Sequence, residues 1–225
     1  MLVLLLLAPR VPGQVQSKLD VRAFGGERQS LPSIKVPPEL KSFVPDGFVL
    51  RAVLRPNAIV GGDTFILYDN GEDIFPEVHL HAIRQGIDTK LFDESIAGVA
   101  GVFPIRAGKG KQLLAFAYHQ GFDGADTRFM IFGLEKGRYK VIFEGETTTG
   151  QMRILGQSPL TIELWSAAWN LDDGESCVWC PHRYRIRTYA LRSGKFLLER
   201  EQISKAPLDP AEVAEKTFLI GRSKP

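Results

Sequence analysis

The chain has 225 residues, with 28 Lys and Arg against 26 Asp and Glu, for a formal charge of +2. That length buries a sizeable core in one domain, and the near balance of charge excludes a strong electrostatic draw toward nucleic acid or a membrane surface. With 22 Gly and 14 Pro, the composition favours many short strands over long helices.

Residues 1–13 open on an apolar run, Leu2 to Ala8, far short of the ~20 residues a membrane helix needs. The run reads as the core of a secretory signal peptide, with Val11 and Gly13 suiting the −3 and −1 positions of a cleavage site. No Lys or Arg precedes it, and a buried N-terminal strand is the other reading. No later segment is apolar enough to span a bilayer. Residues 14–45 form a Pro-rich arm, where Pro37, Pro38 and Pro45 leave room for one turn of helix at Glu39–Phe43.

From residue 46 to 203 the pattern predicts three repeats, 46–95, 98–146 and 150–203, each of four short strands. In the first they are Phe48–Leu54, Thr64–Tyr68, Glu77–Ile83 and Lys90–Asp93. The second holds Gly101–Arg106, Gln112–Tyr118, Arg128–Leu134 and Tyr139–Phe143. The third holds Gln151–Leu155, Leu160–Ser166, Arg183–Leu191 and Lys195–Glu201. Turn signals separate them, and Gly86, Gly137 and Gly194 recur at near-even spacing between the third and fourth strands. Four antiparallel strands at a period of ~40–50 residues is the pattern of a propeller blade.

The third and fourth strands carry a more specific pattern, as in Tyr189-Ala-Leu191-Arg-Ser-Gly194-Lys-Phe196. Over roughly 48–201 the chain resembles the degenerate VCBS/FG-GAP-type repeats of secreted bacterial proteins, related to integrin-type propeller blades. Such families often bind calcium between the first and second strands. The corresponding turns here, around Gly61-Gly62-Asp63, Gly108–Lys111 and Gly156–Pro159, lack the carboxylates calcium requires, so calcium is not implied.

Three blades are too few for a closed ring. In the middle repeat both faces of the third strand are apolar, Phe129 and Ile131 on one side and Met130, Phe132 and Leu134 on the other, so that sheet should be covered twice. The outer repeats each carry one polar face: Glu77, His79 and His81 in the first, Arg183, Arg185 and Arg187 in the third. Polar outer faces cap an open array. The expected fold is all-β: an open, propeller-like stack of three four-stranded antiparallel sheets, monomeric, with a tail over 204–225. In that tail Asp209, Pro210 and Glu212 signal a short helix to about Lys216, and Thr217–Ile220 is a candidate further strand.

Turns between second and third strands put acids on one rim, Asp69 to Asp73, Asp123 to Asp126 and Asp172 to Glu175, while Arg and Lys gather on the other. This is either turn chemistry or a partner-docking edge. The connection Trp165–His182 holds all three tryptophans and both cysteines. Trp169 and Trp179 offer flat faces to a sugar or peptide, with Asp172, Asp173 and Glu175 as polar partners; alternatively the tryptophans plug the sheet end. Cys177 and Cys180 read as a loop-pinning disulfide. The alternative is a zinc site from Cys177, Cys180, His182 and His119, a weak signal without a second ligand pair. His79 and His81 alternate on one strand, and an exposed polar face is favoured over a metal pair.

No nucleophile elbow, phosphate loop or other catalytic signature stands out. The sequence thus points to a secreted or periplasmic non-catalytic binding module for a protein or glycan. It implies no cofactor, though zinc is possible. The alternatives are a metal- or carboxylate-based hydrolase using the Cys177/Cys180/His182 loop, or a purely structural envelope module.

Overall fold

The computed structural model describes residues 31–56, 62–108, 111–120, 126–169, 177 and 180–217. Among the described residues there are twelve strands, each overlapping its predicted position. The first sheet comprises β1 (Val49–Leu54), β2 (Thr64–Asp69), β3 (Glu77–Arg84) and β4 (Ile87–Ser95). The second comprises β5 (Gly98–Ala107), β6 (Lys111–His119), β7 (Asp126–Glu135) and β8 (Arg138–Thr148). The third comprises β9 (Gln151–Gln157), β10 (Leu160–Ala167), β11 (Tyr184–Arg192) and β12 (Lys195–Ile203). Each sheet is an antiparallel meander in chain order, and no barrel closes among the described residues.

The recurring glycines have one job. Between β3 and β4, β7 and β8, and β11 and β12 the loop is two residues long, bounded by the pairs Arg84–Ile87, Glu135–Arg138 and Arg192–Lys195. Both central residues take positive φ in each case: Gln85 and Gly86 at 51° and 77°, Lys136 and Gly137 at 48° and 83°, Ser193 and Gly194 at 50° and 86°. These are the mirror-image turns whose twist matches that of the flanking strands, and glycine takes the second position without steric cost.

The sheets stack face to face in chain order. Ala52, Phe65, Leu67, Val78, Leu80 and Phe92 of the first sheet pack against Val102, Leu114, Phe116, Tyr118 and Phe132 of the second. The other face of the second sheet, with Leu113, Ala115, Ala117, Phe129, Ile131 and Phe143, packs on Met152, Leu160, Ile162 and Leu164 of the third. The doubly apolar β7 therefore lies in a central layer covered on both sides, as its pattern predicts. At ~1.5–3 kcal/mol for each large side chain fully buried, these two seams dominate the stability of the stack.

The ends of the stack differ from the expected polar faces. On the first sheet, Leu50, Ile66, Tyr68 and Ile83 point outward and are covered by Leu40 and Val44 of the arm, with Ile34, Val36, Phe43 and Phe48 around them. A 3-10 turn, Pro38–Leu40, inserts Leu40. The arm is tied down where the Ile34 N–H donates to the Leu50 carbonyl at 2.8 Å and the Arg51 guanidinium donates to the Leu31 carbonyl at 2.7 Å.

On the third sheet the outward face is the apolar one. Tyr184, Ile186 and Ala167 meet Leu208 and Val213 of the tail. Arg185 and Arg187 stand opposite Ser166 and Leu164 on the face turned toward the second sheet, where both reach Glu201 near the edge. The cover is α1 (Pro210–Thr217), which starts as predicted: Asp209 Oδ1 accepts the Ala211 N–H at 2.8 Å. Apolar ends closed by arm and tail replace solvated ends because both sheets carry more apolar surface than two seams absorb. Of the candidate strand Thr217–Ile220, Thr217 ends the helix and 218–220 lie outside the described residues.

Candidate functional site

The connection from β10 to β11 is held to the stack at both roots. His182 is buried and pairs its backbone with Leu208, N–H to carbonyl at 3.0 Å and the reverse at 2.7 Å. Its Nε2–H donates to the Cys177 carbonyl at 2.8 Å, and Nδ1 makes no hydrogen bond among the described residues. At the other root, the Trp169 ring lies 4.4 Å from the His182 ring, centroid to centroid, and packs beside the Tyr184–Val213 cluster. Trp165 is half-buried in the same cluster and its indole N–H donates to Glu163 at 3.1 Å. Both tryptophans thus help close the sheet end.

Cys177 and Cys180 are bonded to each other, as the spacing suggests. This removes both thiolates from the alternative zinc set. Of its two histidines, His182 spends Nε2 on a carbonyl, and His119, at the end of β6, places Nδ1 3.1 Å from Thr127 Oγ1. Asp172, Asp173, Glu175 and Trp179 lie outside the described residues.

Two of the described acids of the acidic rim serve local structure. Asp69 receives the Arg51 guanidinium at 2.7 and 3.0 Å and the Gly71 N–H at 2.8 Å, and Asp126 accepts the Thr148 hydroxyl at 2.7 Å. On the opposite rim Arg84 lies 3.7 Å from Asp63, and Arg192 meets Glu199 at 2.7 Å. A cleft of about 410 Å³ opens there, lined by Asp63, Gln112, Leu113, Leu134, Tyr139 and Leu191 among others. The Tyr139 hydroxyl donates to Asp63 at 2.6 Å; burial, and then this carboxylate, raise its pKa.

A second polar constellation sits on the outer face of the first sheet, where sequence reasoning placed only solvated histidines. His81 is 9% exposed. Its Nδ1 lies 2.9 Å from both Asp88 oxygens and its Nε2 lies 3.0 Å from the Tyr68 hydroxyl. With Nδ1–H directed at the carboxylate, the Tyr68 hydroxyl donates to Nε2, a buried relay across three strands. Burial, aided by Asp88, Asp93 and Glu77, pushes the Tyr68 phenol up to about 12.

Beside the relay, His79 stacks on Tyr68 at 4.9 Å and takes the Phe48 ring edge-on at 5.1 Å. Its Nε2 lies 3.2 Å from Glu77 Oε1 and its Nδ1 3.2 Å from Asp93 Oδ1. Lys90 meets the other Asp93 oxygen at 2.5 Å, and that hydrogen bond holds the Asp93 carboxyl below the usual range. His79 pairs with Asp93 because a bulge between Leu80 and His81 shifts the register by one residue from the pairing that the two-residue turn sets, and no signal in the chain marks that bulge.

Fold and sites together define an all-β stack of three blade-like sheets with a disulfide-pinned loop at one end. Neither a protein family model nor a curated protein matches the chain.

Proposed function

We propose that this chain is an exported, non-catalytic binding module of blade-repeat type. It takes a protein or glycan through the connection between β10 and β11, working as a monomer. The observation that carries this reading is the anchoring of that connection: His182 and Trp169 clamp its two roots to the third sheet, and the Cys177–Cys180 bond closes its base. Anchored roots lower the entropy a binding loop loses on engaging its ligand. The residues between them supply the aromatic face of Trp179 and the carboxylates of Asp172, Asp173 and Glu175.

Export is supported by the disulfide, which persists in oxidising compartments. No helix among the described residues is long and apolar enough to cross a membrane. Kinship to VCBS/FG-GAP-type repeats is part of the same proposal and rests on the turn motif alone.

A screen of glycans and envelope proteins with the purified chain tests the reading. Trp179→Ala and the pair Asp172→Asn/Asp173→Asn should each weaken a bound ligand about tenfold or more, with melting unchanged. Full binding by both variants overturns the assignment of the loop.

A further inference from the structure

We propose that Glu77, His79 and Asp93 form a binding site for a divalent first-row transition cation such as zinc. Glu77 and His79 are alternate residues of β3 on one face, and Asp93 stands opposite His79 on β4. One donor atom from each lies within 4.8 Å of the others. In a tetrahedral site with bonds of ~2.0–2.2 Å, ligand atoms sit roughly 3.4 Å apart. The 3.2 Å from His79 Nε2 to Glu77 Oε1 is already close to that edge.

The environment of His79 Nε2 supports a cation at this place. This nitrogen is shut from solvent and makes no hydrogen bond among the described residues, although a carboxylate oxygen is near. An orphaned buried nitrogen is destabilising unless something satisfies it. Where the imidazole carries its lone pair on Nε2, that lone pair faces the Glu77 oxygen at 3.2 Å, a contact that a proton or a metal cation satisfies. A cation there answers both groups.

The surroundings hold the donors in place. Tyr68 and Phe48 fix the plane of the His79 ring from two directions. Lys90 occupies Asp93 Oδ2, and Oδ1 faces His79 Nδ1 at 3.2 Å. His81 and Asp88 are spent on each other and on Tyr68, so they compete little for the ion. The Glu77 side chain is 48% exposed, with room to swing the short distance that closes the set.

One imidazole with two carboxylates suits zinc, cobalt or manganese; calcium, which wants six to eight oxygens, is poorly served. Three protein donors leave a position for water or for a donor atom from a bound molecule. The site does not depend on the loop proposed above to bind a ligand.

The test is titration of the full chain, stripped with chelator and dialysed, with zinc and with cobalt, the latter followed by its visible absorption. The expected result is one equivalent bound and a metal-dependent rise in melting temperature. Glu77→Gln and His79→Gln should each weaken binding at least about tenfold and abolish that rise, while His119→Gln, outside the cluster, leaves both intact. Should His79→Gln unfold, the half-exposed Glu77→Gln carries the test. Absence of stoichiometric binding, or equal binding by Glu77→Gln and wild type, overturns the proposal.

Discussion

A β-carbon built on Gly150 would lie 1.7 Å from the carbonyl oxygen of Trp165 and 2.6 Å from its carbonyl carbon. Gly150 sits in the short link from β8 to β9, the one crossing from the second sheet to the third, and the atoms it meets are backbone atoms of β10. A side chain there cannot be accommodated by a rotamer change; the third sheet itself has to move.

Gly150→Ala should therefore cost at least about 3 kcal/mol or prevent folding, at the upper end of what overpacking does. Gly156→Ala in β9 is the matched control, since its added carbon meets nothing nearer than 3.6 Å. Denaturant melts of the two variants check this. A shift for Gly150→Ala as small as that for Gly156→Ala would contradict the link described here.

The arm is structural cover, so it should behave as core. Leu40 is 3% exposed and sits among Leu50, Ile66 and Ile83. Leu40→Ala should destabilise by about 2–5 kcal/mol, the usual cost of emptying a buried leucine site. A solvated end face would instead give a change within about 0.5 kcal/mol. Equilibrium unfolding in urea separates the two.

Alkaline pH should loosen the stack through Tyr68. Its phenol ionises near 10 when unfolded but at about 12 when folded. Between those values the unfolded chain binds fewer protons than the folded one, so stability falls as pH rises. The contribution is complete below pH 10 and gone above about 12, and amounts to roughly 2–3 kcal/mol. Tyr118, Tyr139 and Tyr184 are shifted the same way, chiefly by burial, and add to the slope. Tyr68→Phe should flatten the fall between pH 10 and 12, at a cost of ~1 kcal/mol at neutral pH for the hydrogen bond lost to His81. An unchanged slope in Tyr68→Phe would show that the phenol is not held neutral.

Local signals carried most of the architecture. The Gln85-Gly86, Lys136-Gly137 and Ser193-Gly194 turns demand positive φ at two adjacent residues, and the glycine at the second makes them visible in the chain. The central layer was legible because Phe129 to Phe132 are apolar at every position, a pattern that only double coverage satisfies. Orientation at the ends was not. Alternation separates Tyr184 and Ile186 from Arg185 and Arg187, yet a period of two does not say which face points out. The cover over the face of His79 and His81 was hidden for a related reason: besides Phe48 it comes from Leu40 and Val44 of the Pro-rich arm, an irregular segment with no periodicity to read. The loop, by contrast, drew attention by composition, and the structure adds the clamp of His182 on Cys177 and Trp169 that composition does not reveal.

The central claim is a three-layer stack whose middle sheet is sealed on both sides, and amide hydrogen exchange read strand by strand tests it most directly. The amides of β6 and β7 should exchange slowest in the molecule, near the global unfolding rate, while those of β12, an edge strand with most of its residues exposed, exchange among the fastest of the strands. Protection that is greatest in the first or third sheet, with β6 and β7 opening early, would contradict the stack.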